Sequence, residues 1–246
     1  MMLVLNERQI VESALKTHSL GDRPFEILRL VARYYHSQGY KKADSVRLME
    51  EFLLKCDPGI NIVRWHRAID AWVKDAEKYP LVEIDGIPIT RKELDAIGEL
   101  KNMTLKKLMF SLLVLSKYGN AVNPKNGGWV NRKCGEIFSR ANVSVNRKRQ
   151  SLLINDLWQM GYIGYSHVID NVNIYTKIID NSGEPELVID DLRNIGNQYL
   201  KYIGEPYIAC KECGLVFRKE SNAARYCKEC AASISIQKAL ERRQVS

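Results

Sequence analysis

From Lys101 to Tyr165 the chain carries only two acidic residues, Glu136 and Asp156, and no histidine. A metal-dependent nuclease needs clustered carboxylates or histidines, and this stretch does not supply them. The common nucleotide and hydrolase signatures are missing as well. There is no G-x-x-x-x-G-K-[ST] loop, no G-x-G-x-x-G after a strand, no H-E-x-x-H and no G-x-S-x-G. The sequence therefore predicts no catalytic residue, no organic cofactor site and no enzyme. No apolar run reaches the ~18 residues of a membrane-spanning helix, so no membrane contact is expected. The opening MMLVLNERQ has an apolar stub without a basic n-region or a small-residue cleavage site. No signal peptide is expected there, and the expected location is cytoplasmic.

What the missing acids leave behind is a charge asymmetry. The 246 residues carry a net charge of +8. Residues 1–100 are nearly balanced, with 15 Lys/Arg against 16 Asp/Glu, whereas residues 101–165 hold 11 against 2. Residues 166–200 turn acidic, 2 against 6, and residues 201–246 basic again, 9 against 5. A block so depleted in acids is an electrostatic footprint for a polyanion.

Cysteine is sparse, and its placement is informative. Four of the six cysteines fall in CKECGLVFRKESNAARYCKEC, from Cys210 to Cys230. Thiolates are soft ligands that Zn²⁺ takes four at a time in a tetrahedron. A Cys-x-x-Cys turn places two sulfurs around one ion, and a second turn brought up by a hairpin closes the site. Cys210, Cys213, Cys227 and Cys230 meet that need. Gly214 sits where a positive φ turns the chain away from the metal, and Leu215 to Phe217 read as a short strand. A disulfide framework needs an oxidising compartment, a thioredoxin-like site uses one such pair, and iron–sulfur spacings differ. The cofactor expected is one structural Zn²⁺, with no open coordination position. Cys56 and Cys134 read as small buried hydrophobes, and neither His36 nor His66 as a ligand.

The periodicity predicts a mainly α protein. Residues 1–100 read as a helical domain with helices near 6–18, 24–38, 43–56 and 61–79. Trp65 and Trp72 are expected in its core. Thr90-Arg-Lys-Glu93 is a capping box, with Ile89 and Leu94 placed for a hydrophobic staple. A helix over 104–118 is apolar nearly all round and so deeply buried. Then come a short helix at 133–140, a turn at 141–144 and a longer helix from Asn146 to Met160, stopped by Gly161. Two alternating stretches follow, 162–168 and 173–179, with Asp170-Asn171 as their turn. That order is the layout of a winged helix-turn-helix with a β-hairpin wing, over residues 101–180. Ile137, Phe138, Val143, Leu152, Leu153, Leu157 and Trp158 are its expected core. Residues 181–205 read as a connector ending in a helix, and residues 206–246 as the zinc module with a basic helical tail.

The cations lie where such a domain uses them. Arg147, Lys148 and Arg149 open the second helix of the motif, whose N-terminal residues meet base edges in the major groove. Three cations there oppose the helix dipole at ~0.3–1 kcal/mol each, a conflict that a facing phosphate backbone relieves. Arg132, Lys133 and Arg140 are placed for phosphates beside it, and Lys177 lies in the wing. The expected partner is nucleic acid, duplex DNA above RNA.

The pieces Ile87-Pro-Ile-Thr-Arg-Lys-Glu-Leu94, Gly135-Glu-Ile-Phe138 and Cys210-x-x-Cys-Gly…Tyr226-Cys-x-x-Cys230 resemble a largely uncharacterised group of proteins from Firmicute bacteria, their phages and mobile elements. The resemblance runs over most of the chain, though only its cysteine motif is specific. It implies a phage or mobile-element setting, acting in replication or transcription, and brings no catalytic residue. The alternative is a phage-encoded inhibitor or adaptor that binds a host protein or nucleoprotein complex and uses its basic surface to engage or mimic nucleic acid.

Overall fold

The computed structural model describes residues 3–166 and 173–244. They are mainly helical with small sheets, and no described helix is long and apolar enough to cross a membrane. The chain divides into two compact units, Met1–Asp85 and Gly86–Ser246.

The first unit is a four-helix assembly: α1 (Glu7–Thr17), α2 (Pro24–Ser37), α3 (Lys42–Cys56) and α4 (Ile62–Ala76). Local chemistry sets the helix starts. The Asn6 side chain accepts from the Gln9 amide at α1, and Pro24 supplies a preset φ at α2. Val11, Leu28, Val31, Met49, Leu53 and Ile69 close the core. The two ends of the unit are tied by backbone bonds, Glu7 N to Val82 O and Ile84 N to Leu5 O, each 2.8 Å. Trp65 and Trp72 do not fill the core as expected. The inward stripe of α4 is Ile69, Val73 and Ala76, which leaves both indoles at its rim, half-buried. There they gather with Phe25, itself 55% exposed.

The second unit begins earlier than the expected residue 100, because β1 (Ile87–Thr90) and α5 (Arg91–Gly98) are built into it. β1 pairs antiparallel with β5 (Pro185–Ile189), Ile87 opposite Ile189. The capping box forms as predicted: the Thr90 hydroxyl accepts from the Glu93 amide, and the Glu93 carboxylate from the Thr90 amide. That carboxylate is wholly buried and also pairs with Lys117 Nζ, 2.9 Å to each oxygen, and accepts from the Asp180 amide. Lys117 belongs to α6 (Met103–Val122), the central helix, whose residues from Leu108 to Tyr118 are all buried.

Around α6 the chain runs β2 (Trp129–Val130), α7 (Cys134–Arg140), α8 (Arg147–Gln159), β3 (Ile163–Tyr165) and β4 (Ile174–Thr176), and the strands form a sheet in the order β2-β4-β3. Gly164 faces Tyr175 across it, and a Cβ there would lie 2.3 Å from the tyrosine ring. The expected hairpin turn Asp170-Asn171 lies outside the described residues. Ile137, Phe138, Leu153 and Leu157 are buried as expected and Val143 half-buried. Leu152 and Trp158, however, are 45% and 43% exposed. The inward positions of α8 are 153, 154 and 157, so Ile154 takes a core place and Leu152 and Trp158 flank it.

The acidic segment expected as a connector is strand β5, followed by α9 (Ile195–Tyr202), which packs on α6 with the Phe110 and Tyr199 rings 5.3 Å apart. A hairpin of β6 (Tyr207–Ala209) and β7 (Val216–Arg218) comes next. The last helix, α10 (Lys228–Gln244), starts inside the second Cys-x-x-Cys, ahead of the expected residue 234. The separate segments expected over 101–180, 181–205 and 206–246 thus belong to one unit.

Candidate metal centre and basic surface

The first cysteine pair sits at the turn of the β6–β7 hairpin. The Cys210 amide donates to Leu215 O and the Gly214 amide to Cys210 O, both at 2.9 Å, which folds the backbone into a tight knuckle. Gly214 takes the positive φ of +75° that the turn requires. The second pair straddles the start of α10, and the Cys227 amide donates to Cys210 Sγ at 3.2 Å. All four sulfurs lie within 4.8 Å of one another.

Their spacing fits a shared ion. Cys213 and Cys227 Sγ are 3.8 Å apart, much too far for a disulfide. A tetrahedron with metal–sulfur bonds of ~2.3 Å has edges of about 3.8 Å. Cys210 and Cys227 are buried, Cys213 and Cys230 half-buried. Two of the thiols, Cys210 and Cys230, are shifted in opposite directions. Burial opposes ionisation of Cys210, but donation from the amides of Cys213, Cys227 and Glu212 overrides it and lowers the thiol to about 6. Contacts with the other sulfurs, Cys213 foremost, push Cys230 up. A donor set of four sulfurs, one already inclined to ionise, suits a soft divalent cation and fills its coordination sphere. Cys56 and Cys134 lie apart from this cluster. Against expectation, Cys134 is exposed at the start of α7, where its thiol donates to Gln150 Oε1, and Cys56 is only half-buried. Partial desolvation raises the pKa of both.

The knuckle is fastened to the rest of its unit by residues that the sequence reading did not single out. Arg193, held bidentately by Asp191, donates to the carbonyl of Cys213. Asn197 of α9, 4% exposed, donates to Val216 O at 3.0 Å and accepts from Asn142 Nδ2 at 2.9 Å. Asn142 belongs to the α7–α8 turn. Its carbonyl accepts from Lys107 Nζ at 2.6 Å, and burial lowers the pKa of that lysine. Gly196 lies so close to the same turn that a Cβ would sit 2.0 Å from Ala141 O. The sequence did hold a signal: Gly-Asn-Gln in the first turn of a short helix is a local conflict that close packing explains.

The seven predicted nucleic-acid contacts divide by environment. Arg147, Lys148 and Arg149 are all exposed at the start of α8, where Asn146 Oδ1 caps the helix by accepting from the Arg149 amide at 2.9 Å. Lys133, at the N-cap of α7, and Lys177, just beyond β4, are exposed too. Among the described residues none of these five meets a carboxylate in an ion pair. Arg132 lies 3.7 Å from Glu136, one turn on. Arg140 is half-buried and donates to Leu192 O at 3.0 Å, which fixes α7 to the segment before α9. Lys148, Ser151, Leu152 and Asn155 all face solvent, so one stripe of α8 is open along most of its length.

Comparison with protein-family models, with curated proteins and with solved structures finds no match to this chain.

Proposed function

We propose that this protein binds nucleic acid, duplex DNA foremost, through a winged helix-turn-helix formed by α6, β2, α7, α8, β3 and β4, and that its four cysteines hold one structural Zn²⁺. The element order helix, strand, helix, helix, strand, strand supports this reading, as does a three-stranded sheet with its first strand beside its last. On this reading α8 enters the major groove, its open stripe meets base edges, and Lys133 and Lys177 reach the backbone on either side. A Cys₄ site without an open position gives zinc a structural part.

The observation that carries the proposal is the start of α8. Three consecutive exposed cations sit against the positive end of a helix dipole, and no carboxylate among the described residues pairs with them. Stability alone does not account for this placement. A phosphate backbone does, because it meets both the cations and the free amides of the first turn.

The test is a fluorescence-anisotropy titration of random-sequence duplex at three salt concentrations, comparing wild type with Arg147→Ala/Lys148→Ala/Arg149→Ala. A protein that neutralises ~6 phosphates has a log–log salt slope near −5, and losing three contacts flattens it by nearly 3. Absence of binding, or a slope untouched by the triple variant, would sink the proposal and turn the search to a protein partner.

A further inference from the structure

We infer that the metal module is the second half of the nucleic-acid surface, and that Lys211, Arg225 and Lys228, grouped at the metal centre, contact the backbone of the same duplex that α8 engages. This rests on the reading of α8 given above and adds a second contact to it.

The three cations are neighbours because the cysteines are. Lys211 follows Cys210, Lys228 follows Cys227, and those two cysteines meet through the Cys227 N–H to Cys210 Sγ bond at 3.2 Å. Arg225 joins them because the Lys211 amide donates to its carbonyl at 3.0 Å. All three side chains are exposed, and among the described residues none is in an ion pair. Tyr226, 39% exposed, lies between two of them in sequence. Cations interleaved with an exposed aromatic ring are a pattern that nucleic-acid surfaces use repeatedly.

What ties this patch to the frame that carries α8 is a short run of hydrogen bonds. Two side-chain hydrogen bonds, Asn142 to Asn197 and Asn197 to Val216 O, connect the α7–α8 turn with β7. Arg193 on Cys213 O and Arg140 on Leu192 O fasten the same span from each end, and Gly196 packs against Ala141 with no room for a side chain. Two contacts held on one frame reinforce each other, because the second binds at the high effective concentration set by the first.

The experiment uses the full-length chain with metal content measured throughout. Lys211→Gln/Arg225→Gln/Lys228→Gln is titrated with the same duplex and salts as wild type and the α8 triple variant. One zinc per chain is expected in all three proteins. The module variant is expected to flatten the salt slope by about 2–3 and to weaken binding by at least tenfold at the highest salt. Should its metal content fall, the three single substitutions take its place, each expected to flatten the slope by about 0.9. A flattened slope in the α8 variant with none in the module variants overturns this inference and leaves the reading of α8 standing. No change in either, or no binding by wild type, overturns both.

Discussion

The first unit and the basic block of the second handle charge differently. Residues 1–85 hold 13 basic and 13 acidic residues, and many pair on the surface: Arg8 with Glu83, Lys42 with Asp70, Arg47 with Asp44 and Glu51, Lys78 with Asp75. Residues 101–165 hold 11 against 2, and the cations at the start of α8 face water with no described carboxylate in reach. Inside, the contrast reverses. Glu93 of the second unit has both oxygens satisfied, by Lys117 and by the amides of Thr90 and Asp180. Glu7 of the first is 1% exposed, yet among the described residues only Oε2 is engaged, by the Val82 amide at 2.8 Å and Arg33 at 3.5 Å, while Oε1 meets no described partner. The first unit pairs its surface charges and leaves one buried oxygen unmatched among the described residues, whereas the second satisfies its buried carboxylate and leaves the cations at the start of α8 open.

The largest expected effect breaks the complete network. Lys117→Met strands the Glu93 carboxylate in the core and should cost about 3–5 kcal/mol, because a buried charge without its partner keeps the full desolvation penalty. Hydrogen exchange followed by peptide is expected to speed up through α6 and β1 while the Val11 and Val31 amides of the first unit keep their protection. Adding Glu93→Gln should recover most of the loss, since the charge is then gone. A mild effect of Lys117→Met would mean that water reaches the pair and that Glu93 is not the rivet of this unit.

The incomplete carboxylate predicts the opposite sign. Burial is the largest influence on Glu7 and raises its pKa above the ordinary 4.5, against the Val82 amide and Arg33, which lower it. The folded unit therefore holds that proton more tightly than the unfolded chain does. The stability this supplies is fully present below the ordinary carboxylate range and is lost as pH rises through the raised value. Glu7→Gln should abolish that slope and leave the first unit at least as protected at neutral pH as wild type. Exchange rates of the Val11 and Val31 amides between pH 4 and 7 decide it, and a loss of protection at neutral pH in the variant would show that the ionised form is the stabilising one.

The features legible in the sequence were those written within a few residues of each other. Thr90 and Glu93 announce a capping box three residues apart, Asn146 and Gly161 bracket α8, and each Cys-x-x-Cys is its own signature. What stayed hidden depends on distant partners. β5 looks like an acidic linker until Ile189 is seen opposite Ile87, and the buried Glu93 owes its place to Lys117 and Asp180. Arg193 and Asn197 gain meaning only from the knuckle and turn they join. Trp158 misled for another reason. Its size argues for burial, but the phase of α8 is fixed by Leu153, Ile154 and Leu157, and that phase leaves Trp158 beside Tyr165, with ring centroids 6.0 Å apart.

The smallest effect tests the surface half of the comparison most directly. Arg149→Ala removes a cation from the positive end of α8 while its amide still donates to Asn146. If the cation is kept for a ligand and not for the fold, the variant should be more stable by ~0.3–1 kcal/mol and bind duplex less tightly, with a salt slope flatter by about 0.9. Lys42→Ala, which breaks the exposed pair with Asp70 in the first unit, should leave duplex affinity and salt slope unchanged. Thermal melts at low ionic strength resolve the first difference, because screening suppresses dipole effects at high salt. Loss of stability in Arg149→Ala would mean that the cation serves α8 itself, and the open charge of this unit would then need a structural explanation. Gain of stability with loss of binding is the pattern of a residue maintained at the expense of the helix it sits on.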